Sequence, residues 1–103
     1  MNAELLTTLG EPKRLQIIEA LLSEPKSVNE LVAALRTSQP TVSKHLKVLR
    51  DVGVVRCETR AQRRIYHLQQ EPFQQLDAWL QSYRSMWEGH LDSLETFLDE
   101  EDD

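Results

Sequence analysis

One stretch decides the fold, and its sequence is Ser38-Gln39-Pro40-Thr41-Val42-Ser43-Lys44-His45-Leu46-Lys47-Val48-Leu49-Arg50-Asp51. Val42, Leu46 and Leu49 follow one another at steps of four and three residues, so they share one face of a helix. Ser38 is a preferred N-cap residue, and Gly53 is a typical helix stop. The pattern predicts a helix between these two residues, packed on the rest of the chain through its apolar face.

The opposite face of this helix carries side chains that form hydrogen bonds, and no carboxylate precedes Asp51: Gln39, Thr41, Ser43, Lys44, Lys47 and Arg50. Such a face suits the bases and phosphates of DNA. The alternative is an ordinary solvated helix, which usually mixes acids with its bases. The absence of acids favours a DNA-reading helix.

Composition narrows the classes of protein. A chain of 103 residues predicts one domain with a modest core, small enough that a partner subunit could complete it, so a dimer would be unsurprising. Cys57 is the only cysteine, which excludes an internal disulfide and a thiolate cluster for zinc or iron-sulfur. Because neither a leader peptide nor an apolar run of spanning length is visible, we expect a cytoplasmic protein that does not enter a membrane.

The net charge of −5 divides unevenly along the chain. Residues 1–70 carry a net +4, whereas residues 71–103 carry a net −9. Between Arg36 and Arg64 there are eight bases and two acids. This basic region surrounds the helix that starts at Ser38, as expected of a surface that binds DNA.

Three shorter helices are predicted before this helix. Residues 4–9 form a short one that ends at Gly10, and a second helix restarts near Pro12 with apolar residues at helical spacing. Ser27-Val28-Asn29-Glu30 matches a capping box at the start of the third helix. Only residues 36–37 separate this helix from Ser38, which is the spacing of a helix-turn-helix.

A β-hairpin is predicted after Gly53. Residues 54–59 and 64–68 are rich in β-branched and aromatic residues, and the tip between them is basic. A helix-turn-helix followed by a hairpin is a winged helix. The predicted fold class is therefore mostly α with a small β-hairpin, in the order α-α-α-α-β-β-α.

A long amphipathic helix is predicted from Pro72 to Leu98, where apolar residues repeat at steps of three and four. It is longer than a small domain needs to bury against itself, so self-association is expected. The interface residues on it would be Leu76, Leu80, Tyr83, Trp87, Leu91 and Leu94. Residues 1–98 would form a single domain that includes the dimerisation helices, and residues 99–103 an acidic, disordered tail.

The chain resembles the ArsR/SmtB family of bacterial winged-helix repressors over nearly its whole length. The resemblance rests on LGEPKRLQI at residues 9–17, SVNEL at 27–31, SQPTVSKHLKVL at 38–49, and GVV at 53–55 leading to YHL at 66–68. It implies a homodimer paired through the first and last helices, which adds Leu5 and Leu6 to the interface. It also implies one recognition helix per subunit in successive major grooves, and an effector that weakens operator binding.

The metal sites of this family are incomplete here. Members that sense metal on the helix before the recognition helix carry a Glu-Leu-Cys-Val-Cys core, whereas this chain has Glu-Leu-Val-Ala-Ala at residues 30–34. Members that bind zinc on the final helix use an Asp-x-His and a His-x-x-Glu pair. Asp77 and His90 keep that spacing, but Trp79 and Ser93 replace the other two ligands. We therefore expect neither a metal site nor a cofactor, and a packed or interface role for His90.

The expected DNA contacts fall into two groups. Gln39 could pair with adenine through two hydrogen bonds, while Pro40, Thr41, Ser43 and Lys44 lie at the same end of the helix, near base edges or phosphates. Five further basic residues of the helix and the hairpin would contact phosphates or a minor groove and make the affinity for DNA fall with salt: Lys47, Arg50, Arg60, Arg63 and Arg64. Two-fold symmetry predicts an inverted-repeat operator with half-sites roughly 34 Å apart.

Three further residues have less specific expectations. His45 lies next to Leu46, which favours a structural role over the alternative of a phosphate contact. Cys57 is expected to pack in the hairpin, and a lone thiol cannot form an intrachain disulfide switch. His67 is expected to be a solvent-facing or half-buried strand residue.

The predicted function is that of a sequence-specific, dimeric transcriptional repressor that binds double-stranded DNA. The alternative is a winged helix that serves only protein interactions, with Trp79, Trp87 and the acidic tail holding a partner. A third possibility is an activator or a sensor of an unknown small molecule. No catalytic pattern is visible, so an enzyme is not expected.

Overall fold

The computed structural model describes the backbone of residues 3–101 and the side chains of residues 3–89 and Leu98. The described residues form five helices and three strands: α1 Ala3–Leu9, α2 Pro12–Ser23, β1 Lys26–Ser27, α3 Val28–Leu35, α4 Gln39–Val52, β2 Val55–Arg60, β3 Arg63–Leu68 and α5 Gln70–Glu101. This order confirms the predicted fold class, with β1 as an addition. The chain divides after Phe73 into two compact units.

The core of the first unit is built from the apolar faces of its helices and the start of the hairpin. Leu31, Leu46 and Leu49 are among its fully buried side chains. Val54 and Val55 extend it into the base of the hairpin, where both are fully buried as well. The core therefore joins the helix-turn-helix to the wing.

The helix caps follow the sequence prediction. Ser27 and Glu30 form the complete capping box of α3, with the Ser27 amide donating to Glu30 Oε1 at 3.1 Å and the Glu30 amide to Ser27 Oγ at 3.2 Å. Ser38 Oγ accepts from the Thr41 amide at 3.3 Å at the start of α4. Gly53 ends α4 with a φ of 88°, a conformation that glycine adopts without steric cost.

The sheet has one strand more than predicted. It has the order β1-β3-β2, and Lys26 and Ser27 pair with Tyr66 and Ile65 of β3 in an antiparallel ladder. A two-residue strand carries no periodic signal, so the sequence shows these residues only as the entry to α3. The pairing ties the start of the helix-turn-helix to the wing.

The long helix α5 begins at Gln70, two residues before the predicted start, and continues to Glu101. Residues 99–101, for which the sequence predicts an acidic, disordered tail, belong to this helix. No glycine or proline follows Gly89 to end it earlier. The other two tail residues, 102–103, lie outside the described residues.

Candidate nucleic-acid interface

The turn between α3 and α4 is set by a left-handed residue. Arg36 has a φ of 53° and a ψ of 48°, and its amide donates to the carbonyl oxygen of Val32. The Thr37 amide donates to the same oxygen at 3.3 Å. These bonds satisfy the end of α3 and turn the chain toward Ser38, which caps the next helix. The sequence predicted the short turn but did not identify the left-handed residue.

Helix α4 has one buried and one exposed face, as predicted. Val42, Leu46 and Leu49 are buried in the core. The side chains predicted to contact DNA lie outside it: Gln39, Pro40, Lys44, Lys47 and Arg50 are exposed, and Thr41 and Ser43 are half-buried. The polar face of α4 is thus accessible to a large ligand.

The side chains at the start of α4 hold one another in place. Gln39 Nε2 donates to Ser43 Oγ at 3.0 Å across one helical turn. The hydroxyl oxygens of Ser38 and Thr41 lie 2.8 Å apart. Side chains that are restrained before binding lose less conformational entropy when they bind. This end of the helix is therefore organised for hydrogen bonding.

A groove of about 440 Å³ lies between α4 and β3. Its lining residues are Val28, Gln39, Ser43, Lys47, Arg50, Arg64 and Tyr66. The three charged side chains in this set, all within the described part of the chain, are cations. The groove therefore joins hydrogen-bonding groups to a positive charge, which suits a nucleic-acid strand. Sequence reasoning missed the contribution of Tyr66, whose position depends on β3 packing against the helices.

The wing tip is a tight turn between β2 and β3. Ala61 adopts a φ of 55°, and Arg60 Nε donates to Glu58 Oε1 at 3.2 Å. The pKa of the Glu58 carboxyl is lowered mainly by this hydrogen bond from Arg60. Arg64 lies on the groove beside α4. Arg60 and Arg64 therefore have different surroundings, although the sequence treats them alike.

Arg63 is engaged within the subunit. Its Nη2 donates to Glu30 Oε1 at 2.9 Å and to Ser27 Oγ at 3.2 Å. Glu30 and Ser27 are the two residues that form the capping box of α3. The sequence assigned Arg63 to a DNA contact and gave no sign of these partners, which lie more than 30 positions earlier.

His45 is buried beneath the exposed face of α4, with a relative exposure of 6%, in agreement with a structural role. Its Nδ1 lies 3.8 Å from Glu11 Oε2. Glu11 in turn caps α2, since Oε2 accepts from the Arg14 amide at 3.1 Å. Burial lowers the pKa of His45, although the Glu11 carboxylate opposes this effect. The neutral imidazole is thus favoured at this position.

Cys57 and His67 lie on the hairpin strands. Cys57 is half-buried and pairs in register with the buried Tyr66, in agreement with the predicted packing. His67 is half-buried as well, and its Nε2 lies 2.9 Å from Glu58 Oε2. The pKa of Tyr66, the residue paired with Cys57, is raised mainly because its side chain is buried.

The residues predicted for a dimer interface differ in accessibility. Leu5 is buried in the core of the first unit with an exposure of 3%, which leaves almost no surface for a partner, whereas Leu6 is exposed. On α5, Leu76 is half-buried, and Leu80, Tyr83 and Trp87 are exposed. The side chains of Leu91 and Leu94 lie outside the described residues. Trp79 and Tyr83 pack edge to face, with ring centroids 5.1 Å apart.

Among the described residues, no group of three or more His, Cys, Asp and Glu side chains could hold a metal ion. Asp77 is exposed on α5, and the side chain of His90 lies outside the described residues. The described helices also include none whose length and apolar character would let it cross a membrane.

Comparison with known proteins places this arrangement in a family. Residues 11–56 match the family model described as "Bacterial regulatory protein, arsR family". The chain is 43% identical over 65 residues to the HTH-type transcriptional repressor SmtB of Mycobacterium tuberculosis, in an alignment that covers 63% of this chain. That alignment covers 48% of the relative, so the chain spans about half of its length.

Two further comparisons cover more of the other protein. An uncharacterized HTH-type transcriptional regulator of Methanocaldococcus jannaschii is 34% identical over 68 residues, which cover 64% of this chain and 75% of that protein. The crystal structure of an ArsR family transcriptional regulator superposes with a TM-score of 0.73 at 28% identity, covering 84% of this chain and 94% of that one. The chain therefore belongs to the ArsR/SmtB family of winged-helix regulators.

Proposed function

We propose that the protein is a sequence-specific DNA-binding transcriptional regulator. The groove between α4 and β3 carries this proposal, because its lining combines three cations, Lys47, Arg50 and Arg64, with the hydrogen-bonding side chains of Gln39 and Ser43. A duplex needs both kinds of contact, since phosphate contacts supply affinity and base contacts supply specificity.

The proposed DNA contacts are of two kinds, with base edges and with phosphates. Gln39, Thr41 and Ser43 read base edges in the major groove, with Pro40 in the first turn beside them. Lys44, Lys47 and Arg50 neutralise phosphates along the same helix. From the wing, Arg60 and Arg64 contact the phosphate backbone or the adjacent minor groove.

We further propose that the regulator is a dimeric repressor. The M. tuberculosis relative is named a transcriptional repressor. The exposed Tyr83, Met86 and Trp87 of α5 offer a large apolar surface for a second copy of the chain. A two-fold dimer would bind an inverted repeat with half-sites roughly 34 Å apart, one helical turn of DNA.

Selection of bound sequences from random duplexes by the purified protein tests the function and the symmetry together. We expect an inverted repeat to be enriched. Titration of the selected duplex at several salt concentrations should then show affinity falling with salt, with a slope that decreases by about 0.9 for each phosphate contact removed.

Matched variants locate the contacts. Lys47→Gln and Arg64→Gln should each reduce the salt slope, whereas Arg84→Gln, an equal change of charge on α5, should leave it nearly unchanged. If no sequence is enriched and binding is independent of salt, the proposal fails. A protein-interaction module would then be the better explanation of the exposed aromatic side chains.

A further inference from the structure

The contact of Arg63 with the start of α3 lies where the sheet ladder ends. Ser27 and Ile65 are the last paired residues between β1 and β3. Arg63 lies two positions beyond Ile65, so both side chains point to the same face of the strand. The arginine side chain continues the contact with Ser27 by a hydrogen bond after the backbone pairing has stopped.

The two atoms that accept hydrogen bonds from Arg63 are held in place by the capping box of α3. Glu30 Oε1 also accepts from the Ser27 amide, and Ser27 Oγ accepts from the Glu30 amide. The backbone and side-chain hydrogen bonds from Ser27 lower the pKa of Glu30, and the nearby Arg63 cation adds to this effect. Arg63 Nη2 therefore binds a charged carboxylate and a hydroxyl whose positions the helix cap sets.

The contact adjoins the residue at the start of α4. A cavity of about 200 Å³ is lined by Ser27, Val28, Asn29, Gln39, Gln62, Arg63 and Arg64. Gln39 and Arg64 also line the larger groove between α4 and β3. The distance between the wing tip and Gln39 therefore depends on the contact that Arg63 makes with the cap of α3.

We propose that Arg63 is a positioning residue, which holds the wing against the Ser27–Glu30 cap so that Arg64 and Gln39 engage the same duplex. This inference rests on the proposed DNA-binding function and assigns Arg63 a role different from that of Arg60 and Arg64. Glu30, an acid near the binding surface, then supports DNA binding through Arg63 although its charge alone would oppose it.

The test is a double-mutant cycle of Glu30→Gln and Arg63→Gln, measured on the selected duplex. Glutamine is accepted at this position of a capping box, so Glu30→Gln keeps the cap and removes the charge. We expect each single variant to lose about two- to fivefold in affinity, the range that corresponds to an exposed ion pair, and the double variant to lose no more. The salt slope should stay at the wild-type value.

A direct phosphate contact by Arg63 predicts the opposite pattern. Arg63→Gln would then reduce the salt slope by about 0.9, and Glu30→Gln would raise affinity by removing a negative charge near the duplex. Either result, or additive losses in the double variant, would overturn the positioning role. Two variants serve as controls: Glu19→Gln removes an exposed acid on α2 and should not weaken binding, and Arg64→Gln should reduce the slope.

Hydrogen exchange of the free protein provides a readout that does not depend on DNA. The amides of Gln62 and Arg63 should exchange faster in both single variants, and equally fast in the double variant. Unchanged exchange would also overturn the proposal. If the wild-type protein binds no duplex, the proposed function and this inference fail together, whereas binding with additive losses removes only the positioning role. Urea unfolding of each variant establishes that the folded protein is being compared.

Discussion

The side-chain amide of Gln39 donates a hydrogen bond to the hydroxyl of Ser43, with 3.0 Å between Nε2 and Oγ. A carboxamide has two N–H donors and a carbonyl oxygen, so one donor and the oxygen remain for adenine. Ser43 thus orients the group that we propose to read the base.

Gln39→Ala should weaken binding to the selected duplex by roughly 1–3 kcal/mol and binding to random duplexes much less. Ser43→Ala should cost less by itself, and little more in the Gln39→Ala background, because the two residues act as one unit. Competition titrations with both duplexes measure these differences. Equal losses on specific and random DNA would show that Gln39 supplies affinity rather than specificity.

Leu49→Ala should lower the free energy of unfolding by about 2–5 kcal/mol, because its side chain is fully buried. The same truncation at Leu22, which is 71% exposed, should change it by no more than about 0.5 kcal/mol. Urea denaturation followed by circular dichroism measures both. A similar loss at the two positions would contradict the described core.

Ser38→Ala should destabilise the protein by about 1 kcal/mol, since it removes the acceptor for the Thr41 amide at the start of α4. Ser38→Gly should cost only a few tenths of a kcal/mol. Ser85, whose hydroxyl donates to the Gln81 carbonyl oxygen within α5, provides a control. An effect of Ser85→Ala as large as that of Ser38→Ala would count against a specific capping role.

Stability should fall as the pH drops below about 6.5, the ordinary pKa of histidine. Burial lowers the pKa of His45, and the Lys44, Arg14 and Lys13 cations add to this effect, while Glu11 opposes it. Below pH 6.5 the unfolded chain therefore takes up a proton that folded His45 does not accept. The loss stops once the pH falls below the folded pKa.

The His45→Gln variant isolates this effect, because it removes this one imidazole and leaves every other titratable side chain in place. Urea unfolding between pH 7.5 and pH 5 should show a steeper loss of stability in the wild-type protein than in the variant. Glu30 and Glu58 have lowered pKa values, so their contributions disappear only below the ordinary value of 4.5. Parallel curves for the two proteins would show that His45 is protonated equally in the folded and unfolded chains.

Trp87→Ala and Tyr83→Ala should shift the protein from dimer toward monomer. Truncation of an aromatic hot-spot side chain at the centre of an interface costs about 2 kcal/mol of binding free energy, which corresponds to roughly a thirtyfold change in the Kd of the dimer. Analytical ultracentrifugation over a range of concentrations measures the change, with Leu22→Ala as a control that removes an exposed apolar side chain from α2. A wild-type protein that is monomeric throughout would exclude the proposed interface.

The local features of the fold were predictable because their signals lie within a few residues. Ser38 and Gly53 marked the ends of α4, and the Ser27–Glu30 spacing marked the capping box. The apolar spacing of Val42, Leu46 and Leu49 identified the buried face of α4. Each of these signals reflects a physical requirement of one helix, so the sequence alone was sufficient.

Contacts between distant segments were not predictable. The pairing of Ser27 with Ile65 and the contact of Arg63 with Glu30 depend on how the hairpin meets the helices. The charge pattern showed that Arg63 and Arg64 are basic but could not separate their roles. Their difference follows from strand alternation: Arg63 shares a face with Ile65, while Arg64 is displayed on the other face.

The two-residue strand β1 also has a consequence for the order of folding. Ser27 pairs with Ile65 across a segment that contains all of α3 and α4. The entropy of closing so long a loop is recovered only when the helices inside it have packed, so the pairing should form late. Partly folded chains can contain α4 without a docked wing. The two proposed DNA contacts would therefore appear together only at the final step of folding, which would leave incompletely folded chains without a competent binding surface.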